Sequence, residues 1–496
     1  LMVDYSKTNR KVFDEKHEYN VFNYGHVGYF NSTFRPTYSF NDTPDSLIHD
    51  GFKEVIVDFT PSDLNPSLSA ITSQYYALNP NPEGSYENIE QINQGGGLRN
   101  GDSPGEVYGI WNNLGTPYNS FYKGEEEQLR ITGSASIVIG GHNISLGVEY
   151  EQRWDRGWGS GNYFYTSRGG DGPMGIWKIA RLYMNNHIKE LDASKPSYDF
   201  YGTYPRVTYE RLNTGFAANE GNGAYGGASN NDEQYFFDYN FRKAIGFDPA
   251  GNDYVDIDRY DPNIFSLDMF SPDELFNSGN NLVSYYGYDH TGERVSGATD
   301  INKYFNETDD NGNYKRFIGA FQPTYVSGYI MDKFSFDDIV FNVGVRVDVF
   351  DANQPVLKDP YLFYNARSSA EAKTLKEQDP NTYSWVNIPE SIGDDYVVYV
   401  NDVKNPTQIN GFRDGETWFN QDGTVTQDPS TLTGASGIAP WLLKPDQASI
   451  SADAFEDYKV AINVMPRIAF SFPISDEANF FANYDILTSR PSTGLR

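Results

Sequence analysis

Alternation of apolar and polar residues with period two is the strongest regularity in this chain. From Gln128 to Ile139, Leu129, Ile131, Gly133, Ala135, Ile137 and Ile139 share one face, and Gln128, Arg130, Thr132, Ser134 and Ser136 share the other. After Gly140-Gly141-His142-Asn143 the pattern resumes. Ile144, Leu146, Val148 and Tyr150 then oppose Ser145, Gly147, Glu149, Glu151 and Arg153. Such alternation predicts two antiparallel strands joined as a hairpin, near 128–139 and 144–153. A second hairpin is predicted at 316–333 and 339–350. Ile339, Phe341, Val343, Val345, Val347 and Val349 form its apolar row against Asn342, Gly344, Arg346 and Asp348; the partner strand alternates too poorly for its faces to be assigned. A third lies near 459–472 and 478–488, with Val464, Ile468, Phe470 and Phe472 followed by Phe480, Ala482, Tyr484 and Ile486. Pro466 removes a ladder hydrogen bond there, which predicts a bulge or a strand start. An earlier strand is expected over 17–30.

The spacing of these strands is uneven. The turns Gly140–Asn143, Phe334–Asp338 and Pro473–Glu477 are short. The connections 31–127, 154–315 and 351–458 are far longer than the ~6 residues of an ordinary loop. Short on one side and long on the other is the layout of a transmembrane β-barrel, whose tilted strands need about 9–11 residues to cross a bilayer. The expected fold is all-β: part of a transmembrane antiparallel β-barrel with long, partly helical extracellular loops. Helical signals in those loops are the apolar spacing over Ile176–Leu191, the Ser271-Pro272-Asp273-Glu274 start, and Ser368 with Glu371 as a capping box before Pro380. A soluble antiparallel sheet with one polar face is the competing reading of the same alternation.

Composition narrows the partners. A formal net charge of −30 over 496 residues argues against nucleic acid and suits cations, basic partners or simple solubility. There are no cysteines, so disulfides and thiolate metal sites are excluded. No apolar run approaches the ~18 residues of a transmembrane helix. The 38 Tyr and 33 Phe suit interface girdles, and Tyr150, Trp154, Phe334, Phe336, Phe350 and Phe472 cluster at strand ends.

Several strings are informative together: Phe22-Asn23-Tyr24-Gly25-His26-Val27-Gly28, Tyr329-Ile330-Met331-Asp332-Lys333-Phe334 and Phe341-Asn342-Val343-Gly344-Val345-Arg346-Val347-Asp348. Asp351-Ala352-Asn353-Gln354, Lys358-Asp359-Pro360-Tyr361 and Pro466-Arg467-Ile468-Ala469-Phe470-Ser471-Phe472-Pro473-Ile474-Ser475-Asp476 continue the series. In this order they resemble the TonB-dependent outer-membrane receptors of Bacteroidetes-type bacteria, which carry a carboxypeptidase-regulatory-like domain, a plug and a 22-stranded barrel. The resemblance implies an outer-membrane location, lipid as surroundings, energisation by the TonB system through a plug, and a surface lipoprotein lid or larger outer-membrane complex as partner. About seven strands are counted here, so the expectation is a barrel portion without its plug and N-terminal domains.

Candidate sites follow. Glu149, Glu151, Arg153, Arg346 and Asp348 are expected to face the lumen, either lining a substrate path or pairing across strands. Trp154, Trp158, Tyr163, Tyr165, Tyr285 and Tyr286 are the candidate ligand contacts. Asp248, Asp253, Asp256, Asp258 and Asp261 offer hard oxygen ligands for extracellular calcium, with a solvated acidic loop as the alternative. No cofactor is required, and no catalytic motif occurs. The functions left open are import of a bulky or scarce substrate, a structural role in an outer-membrane secretion or assembly complex, and a secreted β-rich adhesin or carbohydrate-binding protein.

Overall fold

The structure is a computed structural model describing residues 1–40, 47–78, 97–104, 117–160, 172–185, 191–201, 204–211, 234–251, 253–276, 280–447, 450–475 and 477–489. It divides into two compact units, Leu1–Asn353 with Val460–Arg496, and Gln354–Lys459. No helix among the described residues is long and apolar enough to cross a membrane, which bears only on helical spans.

The first unit is built on one large antiparallel sheet. Its strands are β1 (Met2–Val12), β2 (Tyr122–Ile139), β3 (His142–Ser160), β4 (Val283–Tyr286), β5 (Thr324–Phe336), β6 (Ile339–Asp351), β7 (Ala461–Ser475) and β8 (Ala478–Asp485). They pair in the order β1-β2-β3-β5-β6-β7-β8, with β4 on the end of β3. The sheet is not closed into a barrel. The hairpin turns are tight for a stated reason: Gly140 and Gly141 have φ of 57° and 90°, the pair of positive values that a two-residue type I′ turn demands. Asp337, at φ 52°, opens the next turn.

The expected strand over 17–30 is absent. Val21–Asn23 is a single 3₁₀ turn, and positive φ at Glu18 and Gly25 (46° and 68°) breaks any extended run. Phe22 instead stacks on Phe265 with ring centroids 4.9 Å apart, and Trp177 Nε1 donates to its carbonyl at 2.9 Å. Extended backbone starts only at Gly28 and runs to Phe40, pairing with Leu47–Pro61 outside the large sheet. The true first strand, β1, pairs with β2 from Met2↔Thr132 to Val12↔Tyr122. Strands β2 and β3 also run further than the hydrophobic pattern, to Tyr122 and Ser160, and β5 spans Thr324–Phe336 rather than 316–333.

Pro466 needs no bulge. Its register opposite Val345 is continuous, and its carbonyl accepts from Ile486 N, so its nitrogen also points toward β8. Pairing with β8 ends at Arg467↔Asp485, and the one bond the proline forgoes is the return bond to Ile486 O, at the end of that ladder. Tyr329 lies across Gly147, its cross-strand partner; a Cβ at 147 would sit 2.3 Å from the tyrosine ring. Gly147→Val should therefore displace Tyr329 and cost about 1–3 kcal/mol. A thermal midpoint unchanged from the parent in the same detergent would contradict this packing.

The described parts of the long connections are folded. Helices Gly172–Tyr183 and Phe236–Ala244 pack Ile176, Trp177, Phe237 and Phe241 against Phe265 and Phe270 in one apolar core. The helix expected over Ile176–Leu191 thus ends at Tyr183. The Ser271–Glu274 capping box is formed and starts Pro272–Phe276. Glu274 Oε1 also accepts from Phe236 N at 2.7 Å, so one carboxylate caps two helices; burial pushes that carboxyl up to about 8 against these hydrogen bonds.

The second unit has helix Ser369–Gln378, with the Ser368–Glu371 capping box complete and Pro380 just beyond its end. A small antiparallel sheet follows, ordered Val425–Thr426, Thr417–Asn420, Ile409–Asp414, Val397–Val400, Ala439–Pro440. Buried Arg413 ties it together, donating to Tyr399 Oη at 2.9 Å, pairing with Asp359 and lying 4.7 Å over the Tyr361 ring.

Candidate functional site

The register separates the large sheet into two chemically opposite faces. On one, Thr132, Glu149, Ser327, Asp348 and Asn463 form a continuous row across β2, β3, β5, β6 and β7. Arg130 pairs with Glu149 at 2.8 Å, and Arg346 reaches Asp348 at 2.7 Å and Glu149 at 3.8 Å. Arg346 also donates to Tyr325 Oη at 2.8 Å and Ser327 Oγ at 2.9 Å. Arg153 pairs with Glu151 at 2.7 Å, and Arg467 with Asp485 at 2.8 Å. The five charged residues picked from sequence therefore share the polar face. They are committed to ion pairs, in the manner of cross-strand pairs on an open sheet.

The opposite face is apolar and uncovered. Val3, Tyr5, Ile137, Leu146, Val326, Ile468 and Tyr484 are all exposed, and Val148, Ile330 and Val464 are 63%, 51% and 58% exposed. This face spans seven paired strands, well beyond the few hundred Å² of apolar patch that a soluble monomer ordinarily shows. It ends abruptly. Further along the same rows stand Lys7, Glu125, Glu127 and, beyond Gln152 and Trp154, Arg156; Lys7 meets Glu125 and Glu127 at 2.7 and 2.9 Å and Arg156 meets Glu125 at 2.9 Å. One polar residue interrupts the apolar row of β5: Asp332, next to the turn, pairs with His142 at 2.7 Å.

The aromatic candidates divide. Trp154 is half-buried and lines two clefts at the strand ends: one of about 280 Å³ with Ser6, Glu126 and Arg153, one of about 390 Å³ with Arg294 and Gln322. Tyr286 lies over Gly157 and donates to Asp155 at 3.3 Å. Trp158 and Tyr285 are buried in the core, where β3 pairs with β4 and sets them opposite each other. Trp158 donates to His290 O at 3.1 Å, and Tyr285 to Arg316 O at 3.1 Å. Tyr163 and Tyr165 lie outside the described residues.

The five aspartates do not converge on one centre, and among the described residues no group of three His, Cys, Asp or Glu is placed to hold a metal. Asp248 and Asp261 each cap a local turn, accepting from Ala250 N at 3.0 Å and Asn263 N at 2.8 Å, and Asp253 is exposed. Asp256 and Asp258 are buried, and arginines occupy the place expected for calcium. Arg181 grips Asp258 with two bonds of 2.8 Å, Arg99 meets it at 2.8 Å, and Asn100 donates at 2.9 Å. Burial alone raises the Asp258 carboxyl; the charges of Arg181 and Arg99 and the bonds from Arg181 and Asn100 reverse that and hold it well below the carboxylate range. Arg99 and Arg181 carry no local sequence signal, since only the folded chain brings them to Asp258.

Nothing matches this chain among protein-family models, curated proteins or solved structures.

Proposed function

We propose that this chain forms part of an outer-membrane β-barrel of the TonB-dependent receptor type, with its folded long loops facing the exterior and binding a bulky or scarce substrate for import. The uncovered apolar face carries this reading. Leu129 to Ile139 advances ten residues, about 34 Å at ~3.4 Å each. At a barrel tilt of about 45° that spans about 24 Å, close to the ~25 Å apolar band of an outer-membrane barrel. The charged residues at Lys7, Glu125, Glu127 and Arg156 fall where such a band gives way to head groups and water.

In this reading the ion-paired polar face is the lumen wall, and the TonB system, acting through a plug, and a surface lipoprotein are the partners. Closure requires further strands against β1 and β8, because open edges in lipid leave unpaired backbone groups at several kcal/mol each.

The chain has no cysteines, so single-cysteine labels report cleanly. Dyes at Val148→Cys, Ile330→Cys and Val464→Cys in vesicles should be quenched by brominated acyl chains and shielded from iodide. A dye at Ser134→Cys, on the opposite face, should show the reverse. Iodide quenching at all four positions, with a chain monomeric without detergent, would support a secreted β-rich protein instead.

A further inference from the structure

The second unit, which lies almost wholly in the long connection 351–458, holds a groove that plays no part in the reading of the large sheet. It has a volume of about 800 Å³ and is lined by the segments 387–389, 408–410, 420–422 and 431–433. Among the described residues its walls are side-chain amides and hydroxyls from Asn387, Gln408, Asn410, Gln421, Thr431 and Thr433, with one carboxylate, Asp422; Lys376 stands just outside, its ammonium donating to Val386 O at 2.5 Å and Asn387 Oδ1 at 3.0 Å. Among the described residues the apolar lining is Ile388 and Pro389.

The groove is built, not incidental. Asn410 Nδ2 donates to Leu432 O at 3.0 Å, and Thr431 Oγ1 donates to Asn420 Oδ1 at 2.9 Å, so both walls are pinned to the small sheet. Asp422 Oδ1 accepts from Thr424 N at 3.0 Å and from Thr424 Oγ1 at 2.6 Å, which fixes the turn that carries it. Gly423, at φ 84°, lets that turn close on Pro389 and Ser391: a Cβ there would lie 2.4 Å from Ser391 Oγ. Several polar groups are thus held in place while Gln408, Gln421 and Asp422 remain exposed.

Chemistry selects the ligand. Its lining carries no cation, and the Lys376 ammonium beside it is engaged by Val386 O and Asn387 Oδ1, so the groove is poorly suited to a phosphate, sulfate or carboxylate. With two apolar residues it offers little to a hydrophobic ligand. Planar amides and a carboxylate that donate and accept side by side suit vicinal hydroxyls, whose donors and acceptors must both be met. We propose that this groove binds a neutral, hydroxyl-rich ligand of carbohydrate type, with Gln408, Asn410, Gln421 and Asp422 as its contacts. The volume falls within the ~300–1,000 Å³ of small-molecule sites, enough for a short oligosaccharide. The assignment stands on this unit alone and does not depend on membrane insertion.

The test uses the full chain in detergent, screened on an array of neutral oligosaccharides of different linkage alongside sulfated oligosaccharides and acidic peptides, with hits titrated calorimetrically. Binding of a neutral oligosaccharide is expected, weakened at least tenfold by Gln408→Ala/Asp422→Ala with an unchanged circular dichroism spectrum. Gly423→Val should weaken it separately, by moving the turn. Failure of every neutral oligosaccharide to bind, preference for the anionic probes, or binding indifferent to both variants would overturn the proposal.

Discussion

Asp258→Ala is expected to unfold the region between the long strands, at a cost of about 3–5 kcal/mol. The substitution takes the carboxylate from Arg181 and leaves Arg99, only 7% exposed, with Asp256 at 3.8 Å as a remaining carboxylate, both beside a new cavity. Removing one member of a buried charge group is far costlier than replacing the whole group by apolar residues, because the remaining charges stay desolvated. Urea unfolding followed by the fluorescence of buried Trp158 and Trp177 reads the loss. A change under about 1 kcal/mol would mean that the network is solvated, as surface pairs are. Acid should produce a related effect in two stages. His26 is fully buried, neither ring nitrogen has a hydrogen-bond partner among the described residues, and burial pushes it down to about 4 against the pull of Asp258 and Asp261. Its folded value is depressed, so its contribution is present above the unfolded value of 6.5 and is lost progressively as pH falls toward 4, about 3 kcal/mol in all. Asp258 is also depressed, and its contribution follows only below its ordinary 3.8. Glu274, raised to about 8, acts in the opposite sense and gains stability as pH falls from 8 to 4.5, so the His26 stage is read as the difference between the parent and His26→Phe, which keeps the Asp258 stage.

The parts of this molecule that sequence revealed are those where one residue's neighbours in the chain settle its environment. The apolar rows of β2, β3, β6 and β7 were legible because each alternate side chain meets the same surroundings. Capping boxes at Ser271 and Ser368 were legible because both partners sit three residues apart. β1 was not, because only Val3 and Tyr5 continue the apolar row; Lys7 lies where β2 turns acidic, and its salt bridges to Glu125 and Glu127 replace hydrophobic contact. The faces of β5 were hidden by Asp332, which makes sense only once His142 is seen beside it. The acidic run 248–261 was visible as charge, but its meaning depended on arginines distant in sequence. Trp158 and Tyr285 looked like surface aromatics because the pairing of β3 with β4, which buries them, spans more than a hundred residues.

The two readings of the large sheet make opposite predictions for a charge on its apolar face, and Val148→Arg tests them. Val148 lies near mid-height of the apolar band and is 63% exposed. If water covered it, arginine there would change stability by no more than about 0.5 kcal/mol and would improve solubility. If hydrocarbon covers it, the guanidinium must be buried near the bilayer midplane, at about 2–4 kcal/mol. Val464 stands three strand spacings away along the same face, roughly 14 Å at ~4.8 Å per spacing. At that distance the two costs should add, so Val148→Arg/Val464→Arg should lose about 4–8 kcal/mol. Ser134→Arg, at similar height on the polar face, keeps its guanidinium away from hydrocarbon and should lose little. Urea titration of the chain refolded into lipid vesicles measures all three. The expected order is Ser134→Arg close to the parent, Val148→Arg clearly below it, and the double variant unable to insert. Equal stability of the three would place water against the apolar face and remove the basis for a barrel.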